Sequence, residues 1–213
     1  MARVLGLDLS LRATGVCILE GDLSKRPTCK TRLFSQEKAD TVEDRTLRLI
    51  SVAEAVLDFF EAEKPDLVVI EAPAKDQKFQ SAAIGEMHGV IRTQLFLAFG
   101  VHPMVKESTM LRKAVIGKIE RKFEDIQTGK GKKKRRITYG MVPGKRGSKM
   151  KRATIKDIIE LRLREEGWEF PSQDEMDAYV AARYGWNELA SFPGCVTDDQ
   201  LRENDEGAQP GVA

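Results

Sequence analysis

Four carboxylates stand at the ends of three expected elements: Asp8 in an apolar strand, Glu71 closing another, and Asp174 with Asp177 opening a late helix. An ionised Asp8 among Val4, Leu5, Leu7 and Leu9 is costly to bury unless a cation or several hydrogen bonds compensate it. Glu71 ends Leu67-Val68-Val69-Ile70-Glu71, whose β-branched content suits a buried strand of a parallel or mixed sheet. It therefore emerges where neighbouring strand ends form a ligand-binding crevice. Asp174 and Asp177 are three apart, which puts both on one face of a helix. Together the four read as a divalent-metal nuclease centre, because two ions held by such a cluster clamp the attacking and leaving oxygens of a phosphodiester. Plainer roles stay open. Asp174 lies inside the S-x-x-E spacing of Ser172 and Glu175 and would suit the positive end of the helix dipole. Asp8 could be a satisfied turn residue before Ser10 and Thr14, and Glu71 a solvated strand end. Asp177, ahead of Ala178, Val180, Ala181 and Ala182, heads what reads as the packed face.

Charge is distributed unevenly. The net charge is +2, yet residues 118–152 hold fourteen Lys and Arg against three Asp and Glu, so this stretch carries +11 and the rest of the chain −9. Within it, Gly129-Lys130-Gly131-Lys132-Lys133-Lys134-Arg135-Arg136 has little apolar content and two glycines, and it reads as a mobile, solvated loop rather than a packed element. Such a loop attracts a polyanion, with binding that weakens steeply as salt rises. A solubilising insert or a localisation address are the other readings of this segment. Tyr139, Phe123 and Trp168 are too sparse to make a base-stacking platform.

The remaining composition narrows the class. At 213 residues, 41% hydrophobic and 32% charged, the chain suits one globular domain with a substantial core. No apolar run approaches the roughly 20 residues that span a membrane. Met1-Ala2-Arg3-Val4 enters a strand directly without a signal peptide's apolar region, so the expected location is cytoplasmic, in the host if the source is viral. Cys17, Cys29 and Cys195 are odd in number and widely spaced, which supports neither a disulfide framework nor a zinc site. With His88 and His102 the only histidines, a histidine-ligated zinc hydrolase is disfavoured.

Periodicity predicts a βββαβαβ order followed by helices. Strands are expected at 3–9, 14–20 and 29–35 as an antiparallel meander, at 67–71, and at 102–106. Asp40 and Glu43 have box-like spacing at the start of a helix over 41–63, which Pro65 stops. A helix over 79–99 carries Gly85 and Gly89 four apart; close packing on the sheet explains them, and its nearly all-round apolar character also allows a dimer face. Ser108 reads as the N-cap of a helix over 109–116 ending at Gly117. Helices over 149–166 and 173–189 follow. The expected domain is 1–190, with 118–148 as a basic insert and 191–213 as an acidic, disordered tail.

These segments carry a family resemblance. Gly6-Leu7-Asp8-Leu9-Ser10-Leu11-Arg12-Ala13-Thr14-Gly15-Val16 resembles the first motif of the RuvC Holliday-junction resolvases, Gly-Ile-Asp-Pro-Gly-x-x-x-Thr-Gly. Val69-Ile70-Glu71 resembles the family's second acidic strand, and Ile84-Gly85-Glu86-Met87-His88-Gly89 its Leu-Gly-Gln-x-x-Gly helix. Leu111-Arg112-Lys113-Ala114-Val115-Ile116-Gly117 is similar to Val-Lys-x-x-Val-x-Gly, and Asp174-Glu175-Met176-Asp177-Ala178 to the final Asp-x-x-Asp-Ala. Five motifs in order span nearly the whole chain before the tail. The resemblance implies a ribonuclease H-like α/β fold with a mixed five-stranded sheet flanked by helices. It also implies a homodimer that acts on branched DNA. The implied activity is Mg²⁺-dependent paired nicking of four-way junctions, with two ions per site, Mn²⁺ as substitute and 5′-phosphate products. The metal-holding and catalytic positions become Asp8, Glu71, Asp174 and Asp177. Arg112 and Arg152 fall where the family has DNA-contacting lysines, with Lys113 and Lys151 beside them. The basic residues Lys132, Lys133, Lys134, Arg135 and Arg136 are further DNA contacts.

The departures matter as well. Leu9-Ser10 replaces the motif's Pro-Gly, and Ala74 replaces the aromatic that wedges into the junction centre. Phe79 is the candidate substitute for that wedge, or else a core anchor of its helix. The long basic insert suggests a divergent or bacteriophage-type member with altered substrate breadth. Three readings compete: another ribonuclease H-like nuclease acting on RNA/DNA hybrids or on branched DNA broadly, a non-catalytic DNA-binding protein, and an actin-like phosphotransferase. The last needs a second phosphate-binding hairpin for which too little chain remains.

Overall fold

The computed structural model describes residues 1–10, 12–35, 41–73, 81–117 and 154–191 with their side chains, Ser81 excepted, and the backbone alone of 123–128, 131–136, 141–142 and 151–152. Strands β1 (Ala2–Asp8), β2 (Ala13–Gly21) and β3 (Thr28–Ser35) form the antiparallel meander. Helix α1 (Val42–Glu63) returns the chain to β4 (Leu67–Glu71), parallel to β1. Helix α2 (Ser81–Phe99) leads to β5 (Met104–Lys106), parallel to β4. The sheet order is β3-β2-β1-β4-β5, the ribonuclease H-like mixed sheet. Helices α3 (Ser108–Ile116), α4 (Ile155–Glu165) and α5 (Gln173–Ser191) follow. Among the described residues, no helix is long and apolar enough to cross a membrane.

The two-residue period of a strand sorts the core into two halves. From β1, Leu5 and Leu7 face α1 and α2, joined there by Val16, Ile18, Val68 and Ile70. Val4 faces α5 in the company of Cys17, Leu19 and Val69. Gly6 and Asp8 share the parity of Val4, and Glu71 that of Val69, so both acids belong to the α5 face. All of Val4, Leu5, Leu7, Val69 and Ile70 are fully buried, each side chain contributing about 1.5–3 kcal/mol of burial.

Helix α5 lies unusually close to the sheet, and glycines permit it. A Cβ on Gly6 would stand 2.1 Å from the Ala178 carbonyl oxygen, and one on Gly15 would stand 2.1 Å from that of Asp174. Further along, a Cβ on Gly185 would come within 2.7 Å of Val4 and Val69 side-chain carbons. On the far side of α5, Tyr179 is fully buried and packs at a tilt against Trp168 and Phe170 at ring separations of 5.3 and 4.9 Å.

Several local expectations are corrected. The α1 capping box is Thr41 with Asp44, one residue beyond the expected pair, since the Thr41 hydroxyl accepts from the Asp44 backbone N–H. Lys64 then ends α1 in a left-handed conformation at φ 46°. The N-cap of α3 is Glu107, and Ser108 is already helical. Helix α4 begins at Ile155 behind a Thr154–Asp157 capping box, because that box closes the helix start six residues later than expected. The basic segment is not wholly irregular: β6 (Phe123–Thr128) and β7 (Gly131–Arg136) pair antiparallel, and β8 (Met141–Val142) pairs with β9 (Lys151–Arg152). The ladder is made by backbone groups, and its register pairs Phe123 with Arg136 and Thr128 with Gly131. Gly85 and Gly89 do not pack on the sheet, for a Cβ at either would meet nothing within 4 Å. The tail from 192 and Phe79 lie outside the described residues.

Candidate metal centre

Strand parity, register and the glycine-lined approach of α5 together bring the acids to one place. Asp8 pairs across β1 and β2 with Gly15, and the Asp174 backbone rests on Gly15. Leu7 pairs with Ile70, so Glu71 ends its strand beside Asp8. One helical turn separates Asp174 from Asp177, which is buried.

The electrostatics register this convergence. Asp8 is held well above the usual carboxylate range, first by burial and then by the negative charges of Glu71, Asp177 and Asp174. Burial, with Asp177 next, raises Glu71, against the opposing influence of Ser108, Arg112 and Lys156. Asp174 is raised by burial, Asp177 and Glu175. The Ser108 hydroxyl faces Glu71 without a hydrogen bond of normal geometry, and the Arg112 Nε is buried without a partner among the described residues.

The first turn of α5 is tied down by a residue between the two aspartates. Glu175 is buried; its carboxylate accepts from the Ser172 hydroxyl at 2.8 Å and from the Thr31 hydroxyl of β3 at 2.8 Å. The expected capping role is thus joined by a clasp to the sheet. In the β1–β2 turn, the Ser10 hydroxyl donates to the Ala13 carbonyl at 2.6 Å and accepts from the Ala13 N–H at 3.0 Å, closing the turn where Pro-Gly was missing.

The donor set fits a hard divalent cation: four carboxylates of which one is strongly disfavoured as a free anion, with no thiol or imidazole among them. The carboxylates do not close on one another, and among the described residues no three acidic, His or Cys side chains stand near enough to hold an ion jointly. A lysine stands there instead. Lys156 of α4 makes an ion pair with Asp177, and its charge opposes the pKa rise of Asp8, Glu71 and Asp174 alike.

Of the proposed DNA contacts, Arg112 lies beside Glu71, while Lys113 is exposed on α3. The backbone of Lys132, Lys133, Lys134, Arg135 and Arg136 forms β7, and that of Lys151 and Arg152 forms β9. Sequence reasoning missed Lys156. The available signal was the Thr154-x-x-Asp157 spacing, which sets the helix start and puts Lys156 in the first turn.

Solved structures share this architecture. RuvC of Thermus thermophilus bound to a Holliday junction substrate superposes with a TM-score of 0.59 at 13% identity, over 88% of this chain and 95% of that one. A second structure of Thermus thermophilus RuvC gives 0.59 at 16% identity, over 89% and 96%. The fold is that of RuvC. At such identities the likeness to RuvC is one of fold. No family model and no curated protein matches the chain in sequence.

Proposed function

We propose that this chain is a divergent structure-selective DNA endonuclease that resolves four-way junctions by paired nicks leaving 5′-phosphates. The observation that carries the reading is the mutual convergence of Asp8, Glu71, Asp174 and Asp177 at the sheet end of a RuvC fold. The solved relative bound to a Holliday junction supports branched DNA as the ligand class.

Asp8, Glu71, Asp174 and Asp177 would hold two Mg²⁺ ions, with Mn²⁺ as substitute. Bound there, such ions neutralise the scissile phosphate and acidify the attacking water, so no histidine base is needed. The chain's own groups do the rest. Burial of Asp177 and partial burial of Asp8 hold the carboxylates in a lower dielectric than bulk water, which strengthens their attraction for a cation. Glu175 fixes the α5 turn that carries two of the four acids. Arg112, with its buried unpartnered Nε, is placed to donate to a phosphate oxygen next to Glu71. The basic stretch 118–152 supplies salt-sensitive attraction to the DNA backbone.

A homodimer follows from the same reading, because paired nicks need two sites. Its support is α2, where Gly85 and Gly89 leave open space beside the exposed Phe96 and Leu97. The deciding experiment is cleavage of a supercoiled cruciform plasmid with Mg²⁺. Linear product in one binding event is expected, and nicked circles alone would remove the paired mechanism. Asp8→Asn should abolish cleavage while leaving junction binding intact. Full activity of that variant, or cleavage confined to RNA/DNA hybrid in a parallel panel, would overturn the assignment.

A further inference from the structure

Two thiols touch on the face of the sheet that α5 covers, next to the Thr31–Glu175 clasp. In the β2–β3 register Cys17 stands opposite Thr31 and Cys29 opposite Leu19, so the cysteines are diagonal neighbours on adjacent strands. Their parity turns both toward α5, where Cys17 is fully buried and Cys29 is half-buried against the same apolar cluster. The sulfurs lie 3.5 Å apart and both are free thiols. Cys17 alone would read as a small core hydrophobe. A second thiol in contact with it, at the rim of the core and on the edge strand of the sheet, makes the pair chemically competent.

We infer that Cys17 and Cys29 are an oxidisable dithiol site, closed to a disulfide by hydrogen peroxide, and that closure strains the Thr31–Glu175 clasp. In the first step the Cys29 thiolate attacks one peroxide oxygen and the O–O bond breaks. Cys29 becomes a sulfenic acid, and the departing hydroxide takes up the proton that the thiol had released, giving water. In the second step the Cys17 sulfur attacks the sulfenic sulfur, the S–O bond breaks, and the hydroxide leaves with the Cys17 proton as a second water. Two thiols have lost two hydrogens, and one peroxide has become two waters. Position divides the roles: an oxidant reaches half-buried Cys29 on the sheet edge, and fully buried Cys17 resolves it. The hydrogen bond from the Cys17 thiol also holds Cys29 below the ordinary thiol range, against burial and the Glu175 charge. A disulfide sets its sulfurs about 2.0 Å apart and its Cα atoms within about 6.8 Å, whereas diagonal neighbours stand about 7–8 Å apart. The strands must shift to close the bond, and β3, paired on one side only, is the strand that moves. Thr31 lies two residues along from Cys29 and moves with it, drawing on the Glu175 carboxylate that holds the first turn of α5. A bond closed against such displacement is readily reduced, so the site reopens with a thiol reductant.

The test treats the full chain, first reduced and freed of reductant, with hydrogen peroxide. It is read by intact mass, by peptide mapping without reduction and by amide hydrogen exchange. A mass lower by two hydrogens and a linked peptide pair carrying Cys17 and Cys29 are expected, both reversed by dithiothreitol. Exchange over residues 172–177 should become about five-fold faster in the oxidised protein, the opening expected when one side-chain hydrogen bond is lost. Cys29→Ser should show neither change; should it fail to fold, wild type before and after dithiothreitol serves as its own control. Both readouts are made without metal or DNA, so they stand whether or not the chain is a nuclease. Thiols left unreacted under conditions that oxidise free cysteine overturn the inference. So does a link made to Cys195 instead, or oxidation of Cys29 to the sulfinic acid with no link. A Cys17–Cys29 link that leaves exchange over 172–177 unaltered overturns the coupling to the clasp.

Discussion

Adding one methyl group at Gly15 should damage the site through the first turn of α5. The new Cβ would lie 2.1 Å from the Asp174 carbonyl oxygen, 2.5 Å from its carbon and 3.0 Å from the Glu175 nitrogen, against an ordinary contact of 3.4–4 Å. These are backbone atoms in a helix clasped to β3 through Glu175, so no side chain can swing aside. The first turn of α5 must back away by roughly 1 Å, at about 1–3 kcal/mol of overpacking. For a chain of this size that lowers the melting temperature by roughly 2–12 °C. Because the turn carries Asp174 and Asp177, a displacement of that order should cost about 10²-fold in cleavage rate. Gly85→Ala is the matched control for stability alone. Its Cβ meets nothing within 4 Å in the single chain, and replacing a helical glycine by alanine should stabilise by up to about 1 kcal/mol. Thermal unfolding reads both variants, and single-turnover cleavage of a synthetic junction reads Gly15→Ala. A Gly15→Ala protein as stable and as active as wild type would show that α5 does not rest on the β2 backbone, and the account of how the acids meet would fall with it.

Two further outcomes are expected. His88 is buried and its pKa is depressed to about 4, by burial and then by Arg92. Between about pH 6.5 and 4 the unfolded chain binds a proton there that the native protein refuses, so stability falls as pH drops through this window, by about 3 kcal/mol in all. His88→Gln should flatten that fall in urea titrations; an unchanged slope removes His88 as its source. Asp8, Glu71 and Asp174 work in the opposite direction, so the comparison with wild type is what isolates the histidine. Neutralising Lys132, Lys133, Lys134, Arg135 and Arg136 together should weaken junction binding and reduce the log–log salt slope by up to about 0.9 per lost phosphate contact. An unaltered slope would mean β7 stays off the DNA.

What could be read from the sequence followed from periodicity. The apolar runs at 3–9 and 67–71 mark buried strands, and the acids within or closing them were legible as strand-end residues, while the β1–β4 register that sets Asp8 and Glu71 on one face is a property of the fold. The element order and most helix spans were legible from periodicity as well. Capping chemistry was read less well, since Asp40/Glu43 and Thr41/Asp44 offer the same spacing one residue apart, and only the backbone geometry chooses between them. The glycines misled. Gly85 and Gly89 have helical spacing that suggests packing, yet face open space, whereas Gly6 and Gly15, which look like motif and connection residues, are where two backbones meet. A glycine in the sequence marks room for an approach without naming what approaches, and here the approaching element comes from more than 150 residues away in the chain. The β6–β7 hairpin was missed because its ladder is made by backbone groups, which every composition supplies.

The four acids reach one place by two independent routes, and the routes should fail separately. Asp8 and Glu71 are set by β1–β4 register, which a buried apolar face specifies strongly, since a one-residue slip would send Leu5, Leu7, Val68 and Ile70 to the wrong side. Asp174 and Asp177 are set by the close approach of α5 to Gly6 and Gly15 and by the Glu175 clasp to β3. The residues that follow them, Ala178 to Ala182, are buried as well, so the helix that carries this pair is packed along its length. A methyl group on Gly15 should therefore displace Asp174 and Asp177 while the β1–β4 pairing, and with it Asp8 and Glu71, stays in place.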